Sequence, residues 1–191
     1  FVLWFGSDPF SANFPFVPIA RKLINMIGQG GKLYVVDPRC NVAASKGTWV
    51  PIRPGTDAAL ALAIGRYIVD NNLHNTSFLQ RPHAGASNPT GELNAADATL
   101  LVKIVDGHPL AFLRADEAGI PGGLSTEFVV WSGSAAVKFN TVDAADLLPG
   151  QVIVNGVSCK TAFELYVERV REKTIDEYAA FCGVDATTIH T

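Results

Sequence analysis

Two short, uninterrupted apolar runs, residues 2–5 and 33–36, flank a segment with helical periodicity, and this arrangement constrains the fold more than any other feature. A strand that is buried on both faces of a parallel sheet has such an uninterrupted run. Between the two runs, Pro18 suits the first turn of a helix, and a glycine cluster beginning at Gly28 ends that helix. The pattern predicts a strand–helix–strand unit with a right-handed crossover.

A second helix is predicted over residues 57–69, and either Thr56 or Asp57 could cap it. Its apolar residues recur on one face. The short segment before it, residues 48–53, contains Pro51 and suits an edge strand or a bend. Repeated strand–helix units predict an α/β fold, here a Rossmann-like, three-layer domain with a mostly parallel sheet and a small β-rich insert.

The sequence predicts three regions along the chain. Residues 1–83 form the α/β cofactor-binding core, in which Leu3 and Val35 are expected in central strands. Residues 84–158 form the β-rich insert, because short apolar runs there are separated by turn signals. Residues 159–191 form C-terminal helices that return to the core.

Within the insert, residues 99–105 and 110–114 flank a predicted hairpin turn, and residues 127–132 and 135–139 form a second pair across Gly133. Residues 151–154 add another short apolar run. These closely spaced runs are expected to form a small antiparallel insert or an extension of the sheet.

In the C-terminal region, a helix is predicted over residues 161–172, with Glu164 and Glu168 on its solvated side. A last helix over residues 176–182 is expected to end at Gly183.

The composition excludes several classes of protein. With 48% hydrophobic and 17% charged residues among 191, the chain is too apolar to be disordered and suits one domain, or one domain with an appendage. A formal charge of −3 without a Lys/Arg cluster argues against a nucleic-acid partner. No apolar run reaches the length of a membrane span, and three scattered cysteines are too few for a disulfide framework or a zinc site.

Because the chain starts inside an apolar run without Met, we expect a piece of a larger protein.

Polar turns follow the predicted strands at residues 6–9, 37–39 and 54–57. Because ligands bind at the carboxyl ends of the strands in such sheets, we expect the three turns to border one crevice. Backbone N–H groups of the first turn could bind a phosphate, Asp37 could accept hydrogen bonds from ribose hydroxyls, and Arg39 could supply a cation. The candidate binding residues are Gly6, Ser7, Asp8, Asp37, Arg39, Gly55 and Asp57.

Each of these turns also has an ordinary structural explanation. Asp57 could accept hydrogen bonds from the N–H groups of a guanine edge, but Thr-Asp at a helix start is a common cap and Asp-Pro a common turn. After Gly6 the chain lacks the remaining glycines of Gly-x-Gly-x-x-Gly, which disfavours a nicotinamide-dependent dehydrogenase. A non-catalytic module that binds a nucleotide or small anion is the main alternative to an enzyme.

Residues 4–9, 32–39 and 49–60 together resemble the molybdopterin oxidoreductase family, which includes dimethyl sulfoxide reductase, nitrate reductase and formate dehydrogenase. Residues 70–78 and 174–184 are also similar to segments of the family, so the resemblance extends from one end of the chain to the other. It implies the central cofactor-binding domain of a molybdenum oxidoreductase catalytic subunit, which holds molybdopterin guanine dinucleotide and molybdenum.

The resemblance assigns roles by position. Gly6, Ser7 and Asp8 would border the pyrophosphate or pterin, Asp37 and Arg39 would contact the guanosine, and Gly55 and Asp57 would contact the guanine edge. The family usually has Asn where this chain has Asp8. A carboxylate would repel a pyrophosphate, so we expect Asp8 to point elsewhere or to be paired.

Residues 11–15 and the long insert resemble the tetrathionate reductase branch of the family, which implies a role in anaerobic respiration. In the family, the molybdenum ligand and the cysteines of a 4Fe–4S cluster lie upstream of this segment. No catalytic residue or metal ligand is therefore predicted here, and the isolated chain is expected to be inactive and without cofactor. The implied partners are the remaining domains of the polypeptide, an iron–sulfur electron-transfer subunit and one membrane anchor subunit, with a periplasmic or periplasm-facing location.

The other chemical candidates are weak. The four histidines, at positions 74, 83, 108 and 190, have no companion Cys, Asp or Glu at metal-ligand spacing. Cys40 follows the Asp37 turn and is expected to be a small buried thiol, and Cys159 and Cys182 are expected in the core.

Overall fold

The computed structural model describes residues 1–11, 16–87 and 91–190, and both helices and strands are present, which confirms the α/β class. The strands are β1 (Val2–Phe5), β2 (Leu33–Val36), β3 (Thr48–Val50), β4 (Leu101–Val105), β5 (His108–Phe112), β6 (Val129–Ser132), β7 (Ala135–Lys138), β8 (Val152–Val154) and β9 (Val157–Thr161). The helices are α1 (Phe16–Gly28), α2 (Asp57–Asp70), α3 (Thr76–Leu79), α4 (Ala162–Val170), α5 (Ile175–Cys182) and α6 (Ala186–Ile189). Within the described part, none of these helices has the length and apolarity that crossing a membrane requires.

The chain divides into two compact units. The first comprises Phe1–Asn71 and Glu172–Thr191, and contains β1 to β3 with α1, α2, α5 and α6. The second is Asn72–Arg171 and contains β4 to β9 with α3 and α4. The three regions expected from the sequence, with boundaries after residues 83 and 158, stay a prediction.

The sheet of the first unit is parallel, in the order β1-β2-β3. Trp4 is level with Val35, which is level with Trp49. Val35 thus lies in the central strand as expected, but Leu3 lies in an edge strand of the described sheet, so that prediction was wrong. The remaining sheets, β5-β4-β9-β8 and β6-β7, are antiparallel. A mostly parallel, three-layer Rossmann-like architecture is therefore not confirmed.

Side chains of the parallel strands alternate between two apolar clusters, because successive residues of a strand point to opposite faces. Val35, with no exposed surface, packs in one cluster with Leu23 of α1. Val36 packs in the other with Leu60 of α2 and Cys182 of α5. Burying a side chain of this size stabilises the fold by about 1.5–3 kcal/mol. The uninterrupted apolar run of β2 is explained by this burial on both faces.

Two-residue turns build the hairpins of the second unit. Asp106 and Gly107 have φ of 51° and 79° between β4 and β5, which confirms the predicted hairpin. The predicted pair across Gly133 is confirmed as β6 and β7. Asn155 and Gly156 have φ of 48° and 78° between β8 and β9. Strand β9 was missed, although Asn-Gly is a strong hairpin signal.

The start of α4 corrects the expectation for Glu164. Its side chain was predicted on the solvated side, but the residue is only 8% exposed. One carboxylate oxygen accepts from the Thr161 N–H at 2.9 Å, and the other accepts from the Gly150 N–H at 2.6 Å. The Glu164 N–H in turn donates to the Thr161 hydroxyl, which completes a capping box. The third residue of the helix therefore turns inward.

Gly183 ends α5 with φ of +71°, as the sequence predicts. Gly183→Ala should lower the free energy of unfolding by about 1–2 kcal/mol, because a Cβ is disfavoured in the left-handed region. The matched control is Gly28→Ala at the end of α1, where a Cβ meets no atom within 4 Å and φ is not left-handed. Urea denaturation of both variants tests this, and equal stability of the two would contradict it.

Candidate functional site

The three predicted turns follow neighbouring strands at one edge of the parallel sheet. The Gly6 N–H donates to the Val36 carbonyl at 2.9 Å, directly beyond the end of β1. The Asp37 N–H donates to the Val50 carbonyl at 3.2 Å, directly beyond the end of β2. These bonds continue the sheet ladder into the turns, so the carboxyl ends of β1, β2 and β3 are held level with one another.

In the first turn, Gly6 borders free space, whereas the Asp8 side chain is hydrogen-bonded within the turn. Gly6 has φ of +56°, and a Cβ on it would meet no atom within 4 Å. The Asp8 carboxylate accepts from the Phe10 N–H at 3.1 Å, and the Asp8 carbonyl accepts from the Ser11 N–H at 3.2 Å. Asp8 is therefore paired within its own turn, while Ser7 beside it is half-buried.

The second turn is organised by Asp37, which is only 7% exposed. One carboxylate oxygen accepts from the Arg39 N–H at 2.8 Å and the other from the Asn41 side-chain amide at 3.1 Å. The Asp37 carbonyl accepts from the Trp49 indole at 2.8 Å. The Arg39 residue is exposed. Asp37 thus fixes the turn from which Arg39 reaches solvent.

Two neighbours of Asp37 were misjudged or missed from the sequence. Asn41 links the Asp37 carboxylate to the next helical turn, because its side-chain oxygen accepts from the Ala44 N–H at 2.9 Å. An Asn three residues before Ala44, at the start of a short helical turn, is a capping pattern that could have indicated this role. Cys40 was expected to be buried, but it is exposed, as are the two residues before it in the turn.

The third turn leads into α2. Gly55 has φ of +79°, and a Cβ there would meet no atom within 4 Å. The Thr56 hydroxyl donates to the Arg53 carbonyl at 2.7 Å and does not cap the helix, although Thr56 occupies the cap position. Asp57 is exposed, and its carboxylate accepts no hydrogen bond from any residue that the structure describes.

The end of α5 contacts this third turn. The Arg53 N–H donates to the Cys182 carbonyl at 2.8 Å, and the Arg53 guanidinium donates to the Phe181 carbonyl at 2.9 Å. The Cys182 thiol lies 3.5 Å from the Thr56 carbonyl. Burial raises the pKa of this thiol, so it stays protonated at neutral pH and donates to that carbonyl. Cys182 and Cys159 are both fully buried, as predicted.

An apolar cavity of about 130 Å³ lies elsewhere in the first unit, between the sheet and α2. Its lining includes Leu3, Val36, Val50, Leu60 and Ile64. None of the seven candidate binding residues lines it. Over the described residues, no group of three or more His, Cys, Asp or Glu side chains could hold a metal ion. The cavity is therefore separate from the candidate binding residues.

No family model matches the chain, but relatives of known function do. It is 36% identical over 190 residues to a selenate reductase subunit of Mesobacillus selenatarsenatis, in a match that covers 96% of this chain and 18% of that protein. It is 30% identical to a tetrathionate reductase subunit of Salmonella typhimurium, covering 99% of this chain and 20% of the relative. A sulfite dehydrogenase subunit of Allochromatium vinosum is 31% identical, over 90% of this chain and 17% of its own length. The chain thus spans about a fifth of these relatives.

Among solved structures, acetylene hydratase from Pelobacter acetylenicus matches with a TM-score of 0.50. The match covers 98% of this chain and 15% of that protein, at 21% identity. At this identity the likeness concerns the fold alone.

Proposed function

The chain belongs to the molybdopterin oxidoreductase family, and we propose that it is the part of a molybdenum-dependent catalytic subunit that holds a molybdopterin guanine dinucleotide. One observation carries this proposal: three turns lie at one edge of a parallel sheet, and the last of them presents an exposed Asp57 carboxylate with no hydrogen bond from a described residue. A guanine edge offers two N–H donors to such an acceptor.

The first turn suits the pyrophosphate or pterin side of the cofactor. Gly6 leaves room for a ligand to approach the backbone, since a Cβ there would meet nothing within 4 Å. The Ser7 hydroxyl can donate to a phosphate oxygen. Asp8 departs from the family's Asn, but the Phe10 N–H that it binds offsets part of its negative charge.

The second and third turns suit the guanosine. The exposed Arg39 supplies a cation, and the buried Asp37 holds the turn that carries it. The remaining lone pairs of the Asp37 carboxylate can accept from a ribose hydroxyl. Gly55 gives the guanine access to the backbone, and Asp57 accepts from its N–H groups. When bound, the molybdenum cofactor supplies the two-electron chemistry, while these residues bind and orient its nucleotide arm.

The substrate is proposed from the relatives' names. Tetrathionate is the first candidate, because the insert resembles that branch and the tetrathionate reductase subunits of two organisms are 28% and 30% identical to the chain. Selenate is the second, because the selenate reductase subunit is 36% identical. Residues 12–15, which contribute to the tetrathionate resemblance, lie outside the described residues.

The remaining parts of the proposal concern the complete protein. An iron–sulfur electron-transfer subunit and one membrane anchor subunit, together with a 4Fe–4S cluster bound upstream and a periplasmic location, are proposed from the family. The finer fold assignment is proposed in the same way: the β1-β2-β3 sheet, with α1 on one face and α2 and α5 on the other, would be part of a larger Rossmann-like, three-layer sheet.

The test is the cofactor content of the complete protein. Purified after anaerobic expression, it should contain molybdenum and release guanosine monophosphate on acid hydrolysis, and it should reduce tetrathionate or selenate with an artificial electron donor. Guanine nucleotide without molybdenum would instead favour the alternative, a non-catalytic nucleotide-binding module. Absence of both would refute the proposed function.

The 191-residue chain by itself should bind no molybdenum and show no reductase activity. The reason is that the metal ligand and the parts that hold the second dinucleotide arm are expected outside it. Metal analysis after incubation with molybdate and cofactor-containing extract tests this. Stoichiometric molybdenum in the isolated chain would be the contrary result.

A further inference from the structure

The turn that carries Gly55 and Asp57 is attached to the end of α5 by residues 128 positions apart in the sequence. The backbone N–H of Arg53 donates to the Cys182 carbonyl, and its guanidinium donates to the Phe181 carbonyl. Carbonyls in the last turn of a helix lack intrahelical partners and attract cations. Arg53 therefore satisfies two acceptors at the α5 end with one residue.

The Thr56 side chain, which occupies the cap position of α2, makes no cap hydrogen bond and bonds within the turn instead. The Thr56 hydroxyl donates to the Arg53 carbonyl, and the Cys182 thiol donates to the Thr56 carbonyl. Thr56 is only 7% exposed, whereas the next residue, Asp57, is exposed. We call the bonds between residues 53, 56, 181 and 182 the α5 clamp. The α5 clamp fixes the backbone on both sides of Gly55, and it leaves the Asp57 carboxylate exposed.

We infer that Arg53 is a positioning residue, which holds the Asp57 carboxylate in the direction that a guanine edge requires. This inference rests on the proposed function. Gly55, at φ of +79°, lies in a region that glycine enters and leaves at little cost, so the turn without its clamp would sample several conformations. Fixing an acceptor before the ligand arrives reduces the ordering cost of binding.

Arg66 provides a matched control on α2, the helix that begins at Asp57. Its guanidinium also donates to a backbone carbonyl of the C-terminal segment, that of Lys173, at 2.6 Å. It lies nearer the opposite end of α2, beside Asp70. Removing Arg66 therefore removes a similar contact without touching the α5 clamp.

The experiment compares Arg53→Met and Arg66→Met in the complete protein by guanosine monophosphate content, by hydrogen exchange of residues 55–60, and by melting temperature. Arg53→Met should lower the guanine content roughly fivefold, the effect of losing one hydrogen bond's contribution, and should speed exchange in residues 55–60 by about the same factor. Arg66→Met should leave both near wild type, with a similar melting temperature. Arg53→Lys, which keeps a cation able to donate to the Phe181 carbonyl, should restore most of the guanine content.

The outcomes separate this inference from the proposed function. Equal guanine content in the two methionine variants overturns the positioning role and leaves the proposed function intact. Equal losses that follow the melting temperature also overturn it, because they indicate general destabilisation. A wild-type protein without guanine nucleotide refutes the proposed function and the orientation toward guanine together, while hydrogen exchange still decides whether Arg53 fixes the turn.

Discussion

Replacing Asp57 by alanine should lower the guanine nucleotide content of the complete protein by about ten- to a hundredfold, since a hydrogen bond to a charged acceptor contributes about 1.5–3 kcal/mol. Asp57 begins α2, is exposed, and accepts no hydrogen bond from the described residues. Its removal should therefore cost the fold little. The measurement is guanosine monophosphate released per polypeptide, with molybdenum content determined in parallel.

Asp70→Ala is the matched control, because Asp70 is the last residue of the same helix and pairs with Arg66 at 3.1 Å. This change should leave the guanine content near wild type. Equal retention by the two variants would show that Asp57 does not bind the nucleotide, even with the fold correct. Asp57→Asn keeps an acceptor oxygen without the charge and should give an intermediate content.

Replacing Glu164 by alanine should destabilise the second unit by about 2–4 kcal/mol, through the loss of two hydrogen bonds to a charged acceptor. The carboxylate is buried and accepts from the Thr161 and Gly150 N–H groups. Its loss leaves the buried Thr161 N–H and the Gly150 N–H without their charged acceptor, and it removes the capping box of α4. Urea denaturation followed by circular dichroism measures the effect.

Glu168 lies four residues further along α4 and pairs with Lys160 at the surface. Glu168→Ala should change the free energy of unfolding by less than about 0.5–1 kcal/mol, because an exposed ion pair contributes little. A comparable loss in both variants would indicate that burial of Glu164 is not what matters. Glu164→Gln should recover part of the stability, since the amide oxygen still accepts.

The candidate binding residues lie where the sequence predicts, but their hydrogen-bond partners come from the folded turns. The sequence shows that polar turns follow the strands, and the parallel ladder places Gly6 and Asp37 side by side at the sheet edge. The sequence does not show that the Asp37 carboxylate accepts hydrogen bonds from Arg39 and Asn41. It also does not show that the Asp8 carboxylate accepts one from the Phe10 N–H. The residue type alone does not specify whether a carboxylate in a turn binds a ligand or accepts hydrogen bonds from its own backbone.

Local signals determined most of the segments that became helices and strands. The apolar run at residues 33–36, the Asp106-Gly107 turn and the glycine after α5 each depend on backbone preferences within a few residues, and the structure confirms all three. Such features are encoded over short distances, because φ/ψ preferences and side-chain periodicity are local properties.

The tertiary structure decided what those segments face. The position of Leu3 in an edge strand, the burial of Glu164 against Gly150, and the attachment of Arg53 to Phe181 all depend on partners elsewhere in the chain, in the last case 128 residues away. Residue type and spacing do not specify such partners, because strand pairing and burial are set by the packing of whole elements. The sequence by itself therefore determined most of the helices and strands, the polar turns and the family resemblance. Only the folded chain showed strand β9, which carboxylates already accept hydrogen bonds from their own turns, and that α5 contacts the turn carrying Asp57.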